Sequence, residues 1–543
     1  MSTVFRNGHV FDGLRYQRDI SVVVSEGRIV AVGADDEVAA YAGAGADEVD
    51  LAGGLLLPGF QDAHVHPLQG GLERIRCSLS DLGTRDEYVG EVARYAKANP
   101  DLKWICGGGW SMAVFPGGTP VAADLDAVVP DRPVFLPNRD HHGAWVNSRA
   151  LEVAGIDART PDPVDGRIER TAEGTPTGTL HEGAMELVAR HIPATSDEQY
   201  YQALLVAQGY LHSLGITAWQ DAILGEYAGI DDSAPTYLRA SQRGELSASV
   251  AGALWWERDR GAEQIPELVD RREKFSHGRL RATSVKIMQD GVAENFTAGM
   301  TAPYLDGHGS PTQNAGLSFV DPQALKEHVT ALDGAGFQVH FHAIGDRAVR
   351  EALDAFEVAR SVNGVNDNRH HVAHVQVVHP DDRARFASLG VTANIQPLWA
   401  CLDPQMVELT IPFLSPEQVA WQYPFGDLVR AGVHLAAGSD WPVTTPNPLL
   451  GIHVAVNRWG YGEPGRAGSE AFLPEQRLTA EQAFAAYTSG AAFVNHLDDT
   501  GTLAVGKRAD LAVLDRDPFA GDVAEIGAAT VVATYVDGVR VYG

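Results

Sequence analysis

An α/β protein built on a parallel sheet, with a small β-rich unit drawn from both ends of the chain, is the fold the sequence predicts. Two observations carry that expectation. Strand-like and helix-like stretches alternate through the middle of the 543 residues, the mark of a parallel sheet that is either open or closed into a barrel. The two ends instead read as short β-rich runs broken by Gly-containing turns. Composition sets a bound on both: 45% hydrophobic and 21% charged residues are ordinary for a globular chain, and one this long holds more than one structural unit.

At the front, residues 3–10, 19–24 and 28–32 are strand-like and are separated by Asn7-Gly8, Asp12-Gly13 and Glu26-Gly27. At the back, residues 509–514 (ADLAVL), 531–536 and 539–542 answer them, with Asp537-Gly538 as a hairpin turn. The ends make either one small β-domain, residues 1–58 with 486–543, or two unrelated edge hairpins. Between them, residues 55–57, 61–63, 217–220, 283–288, 338–341, 371–374, 392–395 and 434–437 are candidate strands. Amphipathic runs at 322–335, 346–361 and 381–389 are candidate helices. Residues 59–485, roughly 427 in all, exceed the about 250 of a typical eight-fold barrel by about 180. The stretch from about 70 to 195, rich in Gly, Pro and Asp (GGGWSMAVFPGGTP, TPDPVDG, EGTPTGT), is the natural insertion. Segments of that kind shape a substrate pocket or an oligomer contact.

A formal net charge of −29 argues against a nucleic-acid partner, whose phosphates this surface would repel. Three separated cysteines, Cys77, Cys106 and Cys401, with no CxxC pair, leave neither a disulfide framework nor a thiolate zinc site. No window approaches 18 apolar residues without charge, so neither a membrane span nor a secretion signal is expected. A reducing cytoplasm is the expected compartment.

The sharpest local signal is LPGFQDAHVHP. On a strand, His64 and His66 point to one face, and two neutral imidazoles there form a natural chelate for zinc or a similar divalent ion. The competing reading is a pair of half-buried histidines satisfied by hydrogen bonds. Further candidate ligands fall at later strand ends: His342 closing QVHFH, His374 closing HHVAH, and Asp440 following HLAAGS. Barrel enzymes keep their catalytic groups at such positions. His340 shares the face of His342 one layer deeper, and His370 and His371 read as packing residues.

Lys286 lies inside an apolar strand, SVKIM, where an unpaired ammonium is costly. Either it forms a buried ion pair with Asp290 or another carboxylate, or carbon dioxide converts it to a carbamate able to bridge two metal ions. As a protonated amine it has no lone pair with which to bind metal.

Taken together, the order HxH, strand lysine, histidine, histidine, aspartate resembles the metal-dependent amidohydrolase superfamily. Within it the chain is similar to the YtcJ-like, N-substituted formamide deformylase-like branch, amidohydrolase family 3. The matching segments are PGFQDAHVHP, NRDHHGAWVNSRAL, PTGTLHEGAM, GITAWQDA, VKIMQDGVAENFTAGMTAPY, HFHAIGDRAV, HHVAHVQVVHP, AAGSDWPVTTPNPL and GTLAVGKRADLAVLDRDP. They run from residue 58 to 518. The resemblance implies a distorted (β/α)8 TIM barrel, a composite β-sandwich from both termini and a large insertion. It also implies a metal site at His64, His66, Lys286, His342, His374 and Asp440, holding one or two divalent ions, zinc foremost.

On this reading a metal-activated water hydrolyses a carbon–nitrogen bond, Asp440 shuttles the proton, and His374 or His142 stabilises the oxyanion. His142, in the inserted region, is otherwise a surface histidine. Asp290 and Glu182 are candidate supporting carboxylates, and Trp441 is expected to wall an apolar pocket beside Asp440. The expected partner is a small N-acyl or N-formyl amide with an aromatic part, with no nucleic acid and no membrane; a homo-oligomer is compatible. The rival readings are a deaminase or an ester, carbamate or cyclic-amide hydrolase on the same site, and a non-catalytic regulatory protein.

Overall fold

The computed structural model describes residues 2–43, 45–80, 82–227, 230–462 and 470–543. Eight strands form its centre in chain order: β1 (Phe60–Val65), β2 (Ile216–Leu224), β3 (Ser249–Trp255), β4 (Leu280–Met288), β5 (Gln338–Ala343), β6 (His371–His374), β7 (Thr392–Ile395) and β8 (Leu435–Ala437). Every neighbouring pair from β1 to β8 is parallel. The sheet is thus a nearly closed TIM-like barrel. All six residues of β1 are buried, as expected of a strand covered by helices outside and by barrel filling inside.

Polar side chains fill the barrel in layers. At the floor, Gln220 Nε2 donates to Ser284 Oγ at 2.9 Å and to Gln338 Oε1 at 2.8 Å. Gln338 Nε2 in turn reaches the carbonyls of Arg369 and Val494. Burying these amides is tolerable because both Nε2 groups and Gln338 Oε1 find partners.

Among the described residues, β8 and β1 share no ladder. The seam is closed instead by the segment after β8: the Asp440 N–H donates to His64 O at 2.8 Å, and Asn394 Nδ2 of β7 reaches Ala63 O at 2.8 Å.

One barrel strand is absent from the expected set. The centre of β3 (SVAGALW) is Ala251, Gly252 and Ala253, residues that carry little β preference. Gly252 is there for packing: a Cβ at that position would sit 2.2 Å from Leu224 Cδ1. The helices expected at 322–335 and 346–361 are present as Pro322–Gly334 and Asp346–Asn363. The first is capped by the Asp321 carboxylate, which accepts from the Gln323 and Ala324 N–H groups. Among the described residues no helix is long and apolar enough to cross a membrane.

The chain ends share sheets rather than forming separate hairpins. Leu55–Pro58 runs parallel to His9–Phe11 on one side and antiparallel to Leu511–Leu514 on the other. A second sheet of four strands contains Ser2–Arg6, Ser21–Ser25, Arg28–Gly33 and Asp47–Asp50. Phe5, Val22, Leu56, Leu511, Val513 and Tyr535, drawn from both sheets, pack in one core. The division expected at residue 486 falls inside a helical stretch, residues 480–494. There Ala491 and Val494 pack on Ala63 of β1 and Ala436 of β8, and the terminal strands begin only at Leu511.

The insertion between β1 and β2 has a six-stranded sheet of its own, ordered Gly166–Arg170, Pro176–Glu182, Gly143–Val146, Val134–Pro137, Ile105–Gly108, Cys77–Ser78. Its strands hide in Gly- and Pro-rich sequence because their backbones approach closely. A Cβ on Gly107 would lie 1.9 Å from Cys77 O.

Candidate metal centre

His64 lies near the end of β1 and His66 directly follows its last residue, Val65, and both imidazoles turn to the barrel mouth. His64 Nε2 lies 3.1 Å and His66 Nε2 3.0 Å from Asp440 Oδ1. His374 is the last residue of β6, and Asp440 follows β8. Both adopt left-handed backbone, at φ 78° and 56°, a strained choice for non-glycine residues that clusters at functional sites. One nitrogen or oxygen each from His64, His374 and Asp440 lie within 4.8 Å of one another. The His342 ring of β5 packs against that of His374 at 4.4 Å. Its Nε2 faces the Gly291 carbonyl at 3.2 Å, so it stands beside this tightest group. Lys286 of β4 lines the same cavity.

Behind the mouth, His64 Nδ1 meets His340 Nε2 at 2.7 Å, and the His340 ring packs tilted against His371 with centroids 4.0 Å apart. His340 therefore supports His64 from one layer below, which orients a ligand through its second nitrogen. His370 faces away from the barrel: its Nδ1 accepts the Val339 N–H and its Nε2 meets Asp333. One support escaped the sequence reading altogether. The buried Asp62 carboxylate accepts from His64 N–H and from Ser439 N–H, each at 3.0 Å.

The structure rules out the Lys286–Asp290 pair. Asp290 accepts three backbone N–H groups, from Gly299, Ile344 and Gly345, at 2.8–3.0 Å, and burial pushes its carboxyl up to about 7. Lys286 is 3% exposed, and among the described residues no carboxylate lies within ion-pair reach of it. Burial pulls its ammonium down to about 7, with Asp440 pulling the other way.

The insertion supplies the far wall. His142 Nδ1 lies 2.9 Å from Glu182 Oε2, whose other oxygen accepts from Thr297 Oγ1 at 2.7 Å. Burial lowers the His142 imidazole, but the Glu182 carboxylate outweighs this and takes its pKa up to about 9. His142 is buried and lines the cavity, so it is no surface histidine. His141, which the sequence reading passed over, pairs with Glu73 at 3.0 Å and has φ 62°. Trp255, Tyr227 and Trp399 make the aromatic walls, with Trp399 stacked on His374 at 5.2 Å and 10°. Trp441 does not join them. It turns outward onto Tyr210, with ring centroids 5.4 Å apart, into space that Gly70 leaves for it.

These donors fit a divalent ion. His66 Nδ1 and His374 Nδ1 are buried without hydrogen-bond partners, a costly arrangement unless something completes it. Burial takes His64 down to about 3 and lowers His66 as well, so both stay neutral. Burial opposes ionisation of Asp440, yet the histidines around it hold its carboxyl well below the usual range. Neutral imidazole and ionised carboxylate are the forms that bind metal.

The comparisons with known proteins agree with this geometry. A model described as the amidohydrolase family matches residues 47–542. YtcJ of Bacillus subtilis (strain 168) is 29% identical over 548 residues, covering 100% of this chain and 99% of its own. N-substituted formamide deformylase of Arthrobacter pascens is 27% identical over 545 residues, covering 96% of this chain and 94% of its own. An uncharacterized metal-dependent hydrolase from Pyrococcus furiosus superposes with a TM-score of 0.71 at 26% identity, over 95% of this chain and 100% of that one.

Proposed function

The chain belongs to the amidohydrolase family, and from that premise we propose that it hydrolyses a non-peptide carbon–nitrogen bond, that of an N-acyl or N-formyl amide, with a divalent metal as cofactor. The observation that carries this is the convergence of His64, His374 and Asp440 within 4.8 Å at the mouth of the barrel. The name of the Arthrobacter relative, a formamide deformylase, supports an amide over the ester and deamination alternatives.

His64, His66, His374 and Asp440 would hold the ion, zinc by its preference for histidine and carboxylate donors, with Lys286 and His342 beside them. When bound, it supplies acidification of a water and polarisation of the substrate carbonyl. The remaining work falls to the chain. Asp440, ionised and with Oδ1 against both histidines, takes the proton of the attacking water and returns it to the leaving nitrogen. His142, carrying a proton held by Glu182, donates a hydrogen bond to the carbonyl oxygen as negative charge develops on it. Trp399, Trp255 and Tyr227 exclude bulk water, which strengthens both interactions.

Lys286 sets the number of ions. Buried, without a carboxylate partner among the described residues and with burial pulling its pKa to about 7, it is available as a neutral amine. Such an amine adds carbon dioxide through its lone pair, releases a proton and becomes an anionic carbamate, a ligand that can bridge two ions.

The test is a panel of N-acyl and N-formyl amides, esters and aminoheterocycles, scored for amine, acid and ammonia release by metal-loaded and chelator-treated protein. Amine release that disappears on chelation and returns with zinc is the expected result. Ammonia release from heterocycles alone, or full activity without metal, would overturn the reading.

A further inference from the structure

His64 and His66 leave the same strand end, yet their second nitrogens are served differently. His64 Nδ1 meets His340 Nε2 at 2.7 Å. His66 Nδ1 is buried and has no hydrogen-bond partner among the described residues. A histidine that binds metal through Nε2 carries a hydrogen on Nδ1, and that N–H is almost always held by a carboxylate, a carbonyl or water. His66 therefore needs a partner that no side chain reaches directly.

The neighbouring strand supplies the other half. In the ladder between β1 and β2, Asp221 stands opposite Val65, the residue before His66. Asp221 is 2% exposed. Its Oδ1 accepts the Ile223 N–H at 3.0 Å, and the Tyr237 hydroxyl lies beside the carboxylate. Its Oδ2 is nonetheless buried with no donor in hydrogen-bond geometry among the described residues. Since His66 Nδ1 and Asp221 Oδ2 both lack partners, they are not bonded to each other. What the two residues share is a cavity of ≈ 10 Å³ beside the first turn of the helix Pro67–Ile75, lined also by Gln69. A buried water occupies about 10–15 Å³ on this measure and makes about 2–4 hydrogen bonds to polar groups. The cavity has the volume of one water, and His66, Asp221 and the Gln69 amide surround it.

We infer that a single water sits in this cavity, accepts the His66 Nδ1–H and donates to Asp221 Oδ2, making Asp221 a positioning residue for the metal centre. This rests on His66 being a metal ligand and goes beyond it, since Asp221 lines neither the metal cavity nor the outer one. The two histidines are thus fixed by different means: His64 by a ring one layer below, His66 through a water from the strand beside it. An acceptor beyond the water also makes the imidazole more basic, which tightens its hold on a metal. An Asp221 that served only Ile223 and Tyr237 would leave zinc affinity unchanged.

Neither test needs an amide substrate. A high-resolution crystal structure of the zinc-loaded protein should show one water within about 3.2 Å of both His66 Nδ1 and Asp221 Oδ2. In competition titrations Asp221→Ala should bind zinc about 10–100-fold more weakly than wild type. Asp221→Asn keeps one acceptor for two donors, the Ile223 N–H and the water, and should fall between. Tyr237→Phe removes only the neighbouring hydroxyl and should leave zinc affinity unchanged. A cavity without water, a water bonded to only one of the two groups, or wild-type zinc affinity in folded Asp221→Ala would overturn the inference while leaving the metal centre standing. An equal loss in Tyr237→Phe would overturn it too, by assigning the effect to packing. If Asp221→Ala does not fold, Asp221→Asn and the crystal structure decide. Wild-type protein that binds no zinc would overturn both the inference and the metal centre.

Discussion

Asp62 and Ser439 are joined across a seam that no strand ladder bridges among the described residues: the Asp62 carboxylate accepts both the Ser439 N–H at 3.0 Å and its Oγ–H at 2.5 Å. His64 lies two residues after the first and Asp440 one residue after the second. The pair therefore sets the distance between two candidate ligands that the sheet leaves free. Asp62→Ala should weaken zinc binding by about 10–100-fold, the usual effect of losing a group that orients ligands. Asp62→Asn, which keeps one acceptor, should fall between. Competition titration against a chromophoric chelator measures this, and a loss under threefold in a folded variant would mean the seam holds without the carboxylate.

Asp440→Asn keeps the shape and an oxygen donor but cannot accept a proton from water. Removal of a general base costs about 10²–10⁴-fold in rate, so kcat should drop by that factor while most of the metal stays bound. A variant retaining over a third of wild-type kcat would assign the proton transfer elsewhere.

Lys286→Ala should lose metal and activity together if the lysine is carboxylated, and formate or acetate should restore part of both by filling the vacancy. Carbon-13 bicarbonate should also give the wild-type protein a carbamate resonance that the variant lacks. No resonance, together with no rescue, would leave Lys286 an amine beside a single ion.

Asp333 predicts an acid limit to stability. Its carboxylate meets His370 Nε2 at 2.9 Å and the side-chain amides of Asn363, Asn366 and Asn368 at 2.6–2.8 Å. Burial opposes its charge, yet these partners hold its pKa below the usual range. A folded pKa below the unfolded value of about 3.9 means stabilisation that is complete above that pH and fades as pH falls through it. Asp333→Asn should flatten the slope of unfolding free energy against pH below about 4, as read by urea melts. An unchanged slope would place the acid sensitivity in other carboxylates.

How much of this was legible depended on the range of the interaction. His64 and His66 announce themselves because a period of two on a strand puts both on one face, and His374 and Asp440 because they follow recognisable strands. Asp62 could not be read as a support, since its partner Ser439 lies 377 positions away and neither residue is chemically unusual. The pairing of Lys286 with Asp290 looked natural four residues apart, but the chain turns Asp290 toward the Gly299, Ile344 and Gly345 amides. β3 stayed hidden because its alanines and glycine are chosen for close packing, and the sheet of the insertion for a related reason. The direction of Trp441 was decided by Gly70 of the helix Pro67–Ile75, a vacancy that only the folded chain presents.

Leu55–Pro58 lies between His9–Phe11, already made when it emerges from the ribosome, and Leu511–Leu514, made about 450 residues later. At roughly 5–20 residues per second, that delay is on the order of tens of seconds. Throughout it the strand that leads directly into β1 shows an unpaired apolar edge, and edges of this kind recruit other chains. The strand that delivers His64 and His66 is therefore completed on one side only by the last part of the chain to be made.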